Sequence, residues 1–329
     1  MTSAPEARSV DAGTKLIWGG LAIMIASESA TIAQIEPFWS WNTPIAWTGF
    51  IICADAIVFR ATGDSWLRSA PREFTWLALV SIPLWVMFEG FNLVIRNWHY
   101  AGLPENPVLR CFGYAWSFAT IWPALFVGAD MIGVVRGSQR AGGARLAEAR
   151  AESRASGGES GGPGELVGSG LPGSAHPLNA NPINPPAPPA YAALVSVAAG
   201  ALMLAAPFLV SRELARYMAA PVWLGFIFLL DPINARLGAA SLWTDWRAGR
   251  RDRLINLVLS GFLCGVLWEF WNYWARAKWI YSVPIMERFK IFEMPLPGYF
   301  GFPAFALECF TLYVFLRRLV TRGGRPIAL

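Results

Sequence analysis

Blocks of about twenty apolar residues recur along this chain and constrain its fold more than any other feature. The hydrocarbon core of a bilayer is about 30 Å thick, so a helix needs roughly 20 apolar residues to cross it. Eight blocks meet or approach this length: 16–35, 45–60, 74–96, 113–135, 191–211, 217–235, 254–276 and 298–319. They predict an all-α polytopic membrane protein with about eight transmembrane helices.

The composition excludes several other classes of protein. Hydrophobic residues make up 55% of the chain and charged residues only 15%, whereas soluble domains carry about 25% charged residues. A disordered chain, a disulfide scaffold and an ordinary cytosolic enzyme are therefore excluded. The four cysteines form no C-x-x-C pair and are expected to be small buried apolar residues; they are Cys53, Cys111, Cys264 and Cys309.

The distribution of basic residues predicts the orientation of the chain. If the N-terminus is cytoplasmic, nineteen of the 27 Lys and Arg residues fall in cytoplasmic segments and eight fall outside. This bias follows the positive-inside rule, predicts both termini in the cytoplasm and places the protein in the cytoplasmic membrane. It also explains the net charge of +5 without a nucleic-acid partner. Residues 16–30 have the form of a signal peptide, but we interpret them as a retained helix because a similar run opens the second half.

A break in the pattern divides the chain into three parts. Residues 137–190 contain eleven Gly, eight Pro and no Phe, Trp or Tyr. Such a segment cannot bury enough apolar surface to offset its ordering entropy, so it is predicted to be a flexible cytoplasmic linker. The predicted domains are a first transmembrane repeat over 1–136, this linker, and a second transmembrane repeat over 191–329.

Four short matches in the same order indicate that the two halves are repeats. They pair Trp47, Gly49, Phe50, Ile51 and Asp55 with Trp223, Gly225, Phe226, Ile227 and Asp231; Glu89 and Asn92 with Glu269 and Asn272; Trp98 and Tyr100 with Trp279 and Tyr281; and Pro123 with Pro303. Each half would contribute four helices, and an even number returns the chain to its starting side. The halves are therefore predicted to be parallel repeats, related by a pseudo-two-fold axis along the membrane normal.

Several acidic side chains fall inside the apolar blocks: Glu28, Asp55, Glu89, Asp130, Asp231, Glu269 and Glu308. Burying an ionisable side chain at the bilayer centre costs about 2.5–3.5 kcal/mol on insertion scales, so such residues usually face a partner or a cavity. Lys and Arg are nearly absent from the same blocks. A carboxyl group without a cationic partner favours its neutral form in a low dielectric, and a neutral carboxyl can donate a proton.

The motif Glu-x-x-Asn occurs once in each half, as Glu89/Asn92 and as Glu269/Asn272. Spacing i, i+3 places both polar groups on one helix face, and Tyr273 joins that face at i+4 from Glu269. One interpretation is a catalytic site. The other is a hydrogen-bond clamp between helices, of a kind that contributes about 0.6 kcal/mol on average.

Further residues are candidates for contacting a substrate: Asp55, Asp231, Trp98, Tyr100, Trp271, Tyr273, Trp279 and Tyr281. Each has an alternative interpretation. Asp231 followed by Pro232 also has the pattern of a helix N-cap, and the Trp and Tyr residues also fit an interfacial aromatic belt. The apolar segment from Ser282 to Pro297 is too short to span, and we expect it to lie on the outer surface as a lid.

Each half contains four features in the same order: a helix with an Asp, a helix with a Glu, a Trp-x-Tyr motif after that helix, and a helix that begins with Pro. This order resembles the membrane-integral carotenoid enzymes, namely the lycopene cyclase domain and the carotenoid hydratase type. The residues that carry the resemblance are Glu269, Asn272, Trp279, Tyr281, Pro303 and Glu308. It implies metal-free acid–base chemistry on an isoprenoid, without a cofactor. The paired glutamates of that family are absent, because Glu308 stands alone beyond Pro303.

The sequence leaves three functions open. The first is an acid–base enzyme that acts on an isoprenoid or another lipid-phase substrate, with Glu89, Asn92, Glu269, Asn272 and Glu308 as catalytic candidates. The second is a transporter or proton-coupled channel, since repeats with intramembrane carboxylates occur there too. The third is a non-catalytic membrane subunit or assembly factor. With two histidines in the chain, no metal site is expected, and membrane lipid is the expected partner.

Overall fold

The computed structural model describes residues 4–137 and 187–320, which are mostly helical. The first half contains helices α1 (Ala4–Ile32), α2 (Phe38–Thr62), α3 (Trp66–Ser69), α4 (Pro71–Ile95) and α5 (Pro107–Val135), with strand β1 (Trp98–Ala101) between the last two helices. The all-α class predicted from the apolar blocks is confirmed, and the strands are short additions to it.

The second half repeats this order of elements. It contains helices α6 (Ala190–Leu209), α7 (Arg212–Ala215), α8 (Ala219–Arg236), α9 (Leu242–Arg247), α10 (Asp252–Trp274) and α11 (Gly301–Val320), and strands β2 (Lys278–Tyr281), β3 (Lys290–Ile291) and β4 (Met294–Pro295). A 3₁₀ turn, Leu296–Phe300, leads into α11. Relative to the first half, α7 and the β3–β4 hairpin are insertions.

Six helices among the described residues are long and apolar enough to cross a membrane. They are Phe38–Thr62, Pro71–Ile95, Pro107–Val135, Ala190–Leu209, Asp252–Trp274 and Leu296–Val320. These correspond to six of the eight predicted spans and are compatible with an integral membrane protein. The other two predicted spans, 16–35 and 217–235, lie largely within α1 and α8 but do not meet the same criterion of length and composition. Of the predicted linker 137–190, positions 138–186 lie outside the described residues.

Glycine pairs set the crossing of the first two long helices in each half. A Cβ atom on Gly20 of α1 would lie 2.5 Å from the carbonyl oxygen of Gly49 on α2. In the second half, a Cβ on Gly200 of α6 would lie 2.7 Å from the carbonyl oxygen of Gly225 on α8. Helices in a membrane associate through close packing, which small residues at the crossing permit. The glycine shared by the two repeated motifs, Gly49 and Gly225, is therefore a packing residue.

Helix α10 of the second half packs directly on α5 of the first. The hydroxyl of Ser260 donates to the carbonyl oxygen of Leu125 at 2.7 Å, and both residues lie within the helices. Gly128 of α5 permits this approach, since a Cβ there would lie 2.6 Å from the Ser260 hydroxyl. Around this contact the core is aromatic, and its largest fully buried side chains include Trp47, Trp66, Trp122, Phe126 and Tyr313.

Strands β1 and β2 form an antiparallel ribbon that joins the halves. The residues directly opposite each other are Trp98 and Tyr281, His99 and Ile280, Tyr100 and Trp279, and Ala101 and Lys278. Successive side chains of a strand point to opposite faces, so the Trp and Tyr of each strand share one face of the ribbon. The ribbon thus gathers four aromatic residues from two distant parts of the sequence.

Candidate functional site

The two asparagines of the Glu-x-x-Asn motifs fix the start of the two ribbon strands. The Oδ1 atom of Asn92 accepts from the backbone N–H groups of Asn97 (2.9 Å) and Trp98 (3.2 Å), and its Nδ2 donates to the Trp98 carbonyl at 2.8 Å. Asn272 binds Trp279 in the same way, at 2.9 Å from its N–H and 2.8 Å from its carbonyl. The asparagines therefore position the strands, and in neither motif does the asparagine side chain form a hydrogen bond to the glutamate of the same motif.

Glu89 is surrounded by donors from the aromatic residues of its own half. Its Oε1 atom accepts from the indole N–H of Trp85 at 2.9 Å, the indole N–H of Trp98 at 3.1 Å and the hydroxyl of Tyr100 at 2.6 Å. Three donors converge on one oxygen, so the carboxylate is held in a single position. Asn92 contributes indirectly, because it fixes the backbone of Trp98.

Glu269 occupies the corresponding place in the second half and is completely buried. Its Oε1 atom accepts from the indole N–H of Trp279 at 3.4 Å, and the Tyr281 hydroxyl lies close enough to this carboxylate to interact with it electrostatically. The same pair of residue types, one Trp and one Tyr from the ribbon, therefore surrounds both glutamates.

Both ribbon tyrosines are held in the neutral form. Burial and the neighbouring Glu89 carboxylate raise the pKa of Tyr100 well above its ordinary value. Burial and Glu269 do the same to the pKa of Tyr281. The two hydroxyl groups therefore keep their protons at physiological pH, and each remains a hydrogen-bond donor beside a carboxylate.

A cavity of about 430 Å³ lies beneath the ribbon. Its walls come from the ribbon, the first turns of α8 and α11, one turn of α4, one turn of α10 and the segment after β2. Its aromatic lining residues are Trp85, Trp98, Tyr100, Tyr217, Trp223, Trp268, Trp279, Tyr281, Phe300, Phe302 and Phe305. Volumes of about 300–1,000 Å³ and mainly apolar walls are typical of small-ligand sites. The cavity therefore suits an apolar ligand.

The expected lid contributes to this cavity. Val283, Ile285, Met294 and Pro295 of the segment from Ser282 to Pro297 line it, and the β3–β4 hairpin gives the segment a fixed shape. The cavity explains the residues of the segment that line it, whereas Phe289 and Ile291 of the same segment are exposed.

A second, much smaller cavity of about 70 Å³ lies on the first-half side of Trp85 and Trp268. Trp47 lines it, as Trp223 lines the larger one. The two halves also differ at the position four residues before each glutamate. That position is Trp85 in α4, whereas in α10 it is Gly265, against which Phe302 packs.

The glutamates themselves do not line the larger cavity. Four ribbon residues, Trp98, Tyr100, Trp279 and Tyr281, stand between the cavity and the carboxylates. A ligand in the cavity would therefore contact the ribbon residues, with Glu89 and Glu269 behind them.

Glu308 on α11 is also completely buried and accepts from the backbone N–H of Phe226 at 3.3 Å. It lies one turn beyond Phe305, which lines the cavity. The structure thus places Glu308 below the cavity, apart from the two ribbon glutamates.

The two aspartates that were candidates for substrate contact lie elsewhere. Asp55 accepts from the Ser65 hydroxyl at 2.9 Å and the Leu67 N–H at 3.1 Å. Asp231 accepts from the Ser241 hydroxyl at 2.9 Å and from the N–H of Leu242 at 2.7 Å. Each aspartate therefore caps the short helix that follows, ten residues downstream. The interpretation of Asp231 as the N-cap of its own helix is wrong, because it lies inside α8.

The other acidic residues of the apolar blocks bind neighbouring helices. Asp130 accepts from the indole N–H of Trp66 at 2.8 Å, and Glu28 accepts from the Asn42 amide at 2.8 Å. Asn42 also donates to the carbonyl oxygen of Trp271. These hydrogen bonds connect helices, as polar groups within a membrane commonly do.

Two aromatic candidates on α10 also lie away from the cavity. Trp271 is buried against Trp47, with ring centroids 4.9 Å apart. Tyr273 is exposed and contacts Trp274 and Phe292. Tyr273 therefore does not join Glu269, although their spacing along the helix predicted it.

Sequence reasoning missed several residues of the cavity wall. Trp223 was part of the repeated motif but was not a site candidate, and Trp85, Phe305 and Arg216 were not singled out. The recurrence of Trp47 as Trp223 was the one available signal. Among the described residues, no group of three or more His, Cys, Asp or Glu side chains is placed to hold a metal ion. Comparison of the chain with protein-family models, curated proteins and solved structures found no match.

Proposed function

We propose that this protein is a metal-free acid–base enzyme that acts on an isoprenoid or another lipid-phase substrate bound in the larger cavity. One observation carries the proposal. Tyr100 and Tyr281 line the cavity, and each has a glutamate directly behind its hydroxyl. Each pair is therefore a short path along which a proton can pass between a buried carboxyl group and a bound substrate.

The proposed step requires that Glu269 first take up a proton, so that its carboxyl group donates to the Tyr281 oxygen. The Tyr281 hydroxyl proton moves to one carbon of a substrate double bond, while the Glu269 carboxyl proton moves to the Tyr281 oxygen. Glu269 is left as a carboxylate and the substrate as a carbocation, so charge is conserved. The faces of Trp223, Trp268 and Trp279 line the same cavity, and aromatic faces attract a cation. Tyr100 and Glu89 form the equivalent path on the other strand.

The proposed molecular frame is two parallel four-helix repeats with eight spans and both termini in the cytoplasm. Two recurring arrangements support the repeats: Asp55 and Asp231 cap short helices through Ser65 and Ser241, and both glutamates contact a ribbon Trp and Tyr. The ribbon register supports a two-fold relation, since its centre falls between His99 and Ile280. The positive-inside bias supports the orientation in the cytoplasmic membrane.

The resemblance to membrane-integral carotenoid enzymes supplies the class of substrate in this proposal. The aromatic cavity supports it, because a polyene or polyprenyl chain is apolar and unsaturated. Glu308, which carried part of the resemblance, lies outside the cavity wall. We therefore assign the proton-transfer role to Glu89 and Glu269, with Asn92 and Asn272 as residues that position the ribbon.

Product analysis of cell membranes tests the proposal. Membranes that contain Glu269→Gln or Tyr281→Phe protein should lose most of the product formed by the wild type, because each change breaks the proton path. Tyr273→Phe is the matched control, since Tyr273 lies on the same helix as Glu269 but away from the cavity. An unchanged product in a Glu89→Gln, Glu269→Gln double variant that still folds would favour a non-catalytic membrane subunit.

Transport is the other function that buried carboxylates can serve. It requires a water-accessible path along α4 and α10. Single cysteines placed along these helices and tested with a water-soluble maleimide distinguish the two functions. The enzyme proposal predicts labelling only at the ends of the helices, whereas labelling that continues through the middle of α10 would favour a transporter or channel.

A further inference from the structure

The larger cavity has one charged side chain in its wall. Apart from Arg216, its lining residues are aromatic, aliphatic or small, with Asn97 as an amide and the ribbon tyrosines as hydroxyls. Arg216 follows the short helix α7, beside the entrance of α8, and is exposed. The cavity therefore has an apolar interior and a single cation at its edge.

The backbone around Arg216 is tied to both ends of the ribbon. The Asn97 amide donates to the Arg216 carbonyl oxygen at 2.9 Å, just before β1. The Arg216 guanidinium donates to the carbonyl oxygen of Ser282 at 3.1 Å, just after β2. Ser282 in turn donates its N–H to the Asn97 carbonyl at 2.9 Å. These three hydrogen bonds hold the cation against the same ribbon that carries the two tyrosines.

Within residues 4–137 and 187–320, no carboxylate forms an ion pair with Arg216. Other arginines of the described chain have such partners: Arg253 pairs with Asp245, Arg276 with Glu36, and Arg317 with Glu73. A guanidinium has five N–H donors, and the Ser282 carbonyl uses one of them. The remaining donors are available to a ligand.

We propose that the ligand of this cavity is an amphipathic anion. Its apolar chain lies among Trp223, Phe302 and Phe305, and its carboxylate or phosphate group binds Arg216 at the edge. An arginine suits this role, because its planar fork matches carboxylate and phosphate oxygens. This inference rests on the proposed function, in that the same cavity must hold the lipid-phase substrate. It adds that the substrate carries an acidic head group.

The test uses the full-length protein in detergent and the probe 9,10-dibromostearate, whose bromine atoms quench tryptophan fluorescence on contact. Five of the 17 tryptophans line the cavity, so a bound chain should quench the part of the emission that these five contribute. The acid should bind at least about tenfold more tightly than its methyl ester, the loss expected for one charge-assisted contact. Octadecyl phosphate should displace the acid if Arg216 accepts phosphate, and fail to displace it if the site is specific for carboxylate.

Two variants test where the head group and the apolar chain of the ligand bind. Arg216→Gln should reduce the affinity for the acid to that for the methyl ester, whereas Arg212→Gln, which changes an exposed arginine one turn earlier, should leave both unchanged. Ala220→Trp, which fills the cavity from α8, should abolish the quenching by both probes.

The outcomes separate the inference from the proposed function. If the acid and the ester bind the wild-type protein equally, or if Arg216→Gln keeps the preference for the acid, the inference is wrong while the cavity remains a lipid site. If neither probe quenches the wild type, or if quenching persists in Ala220→Trp, the cavity does not hold an apolar chain and the proposed function itself fails. The comparison of acid and ester in the wild type needs no variant to fold.

Discussion

Tyr100 of strand β1 lies directly opposite Trp279 of strand β2. Trp98 lies opposite Tyr281 in the same ribbon, so exchange of the two strands converts one pair into the other. Each Trp and each Tyr also contacts the glutamate of its own half. The ribbon therefore brings two glutamate clusters, which are about 180 residues apart in sequence, to one cavity.

Asn272→Leu should destabilise the ribbon, although Asn272 does not line the cavity. The change removes two hydrogen bonds to the Trp279 backbone, and a buried backbone group left without a partner costs about 1–3 kcal/mol. We expect a lower midpoint of thermal unfolding and faster amide exchange at Trp279. Asn92→Leu should have the same effect at Trp98, and unchanged exchange at both strands would contradict the role assigned to these asparagines.

Gly20→Leu should disrupt the packing of α1 on α2. A side chain at this position meets the carbonyl oxygen of Gly49, which is backbone and cannot move aside. The neighbouring Gly19 is a matched control, because a Cβ there meets nothing within 4 Å. We expect Gly20→Leu to lower the yield of folded protein and its unfolding midpoint, while Gly19→Leu remains close to wild type. Equal behaviour of the two variants would show that this crossing is not a close one.

The four native cysteines allow a direct test of orientation. Cys111 near the start of α5 is exposed, whereas Cys53, Cys264 and Cys309 are buried. In the proposed orientation α5 begins on the outer side of the membrane. A membrane-impermeant maleimide should therefore label intact cells that carry the wild-type protein, and labelling should vanish in Cys111→Ser. Labelling that appears only in inside-out vesicles would reverse the proposed orientation.

The ribbon tyrosines predict a loss of stability at alkaline pH. Their pKa values are raised in the folded protein, whereas an unfolded tyrosine has a pKa of about 10. Their contribution to stability is therefore fully present below about pH 10 and is lost as the pH rises toward the folded pKa. The midpoint temperature of unfolding of the wild type should therefore decrease as the pH is raised above 10.

A double variant, Tyr100→Phe with Tyr281→Phe, isolates this effect. It removes both titrating hydroxyls, so its unfolding midpoint should fall less steeply across the same alkaline range. Tyr191→Phe is the control, because Tyr191 is 74% exposed. Parallel curves for the wild type and the double variant would mean that these two groups do not titrate on unfolding.

The sequence predicted the helices better than it predicted the site. Apolar length alone located six helices that can span a membrane, because a helix of about 20 apolar residues has few alternatives in water. The pairing of Glu89 with Trp98 and Tyr100 was not predictable, since it depends on a short strand that folds back beside α4. Helix periodicity describes neighbours on one helix and gives no information about a strand that follows it.

The errors have a common physical origin. Tyr273 and Glu269 share a helix face by spacing, yet the structure exposes Tyr273 and buries Glu269. Asp231 precedes a proline as an N-cap does, yet α8 continues through both residues and the carboxylate caps a later helix. In each case a contact between elements decides the role of the side chain. Local sequence patterns identify which polar residues are buried, but they do not identify the residue to which each of these side chains forms a hydrogen bond.

The unequal cavities have a consequence for stoichiometry. The smaller cavity, at about 70 Å³, lies well below the roughly 300–1,000 Å³ that is typical of small-ligand sites. Trp85 lines the smaller cavity, whereas the corresponding position in α10 is Gly265, against which Phe302 packs. A chain with two nearly equivalent acidic clusters should therefore saturate at one equivalent of ligand, bound in the larger cavity.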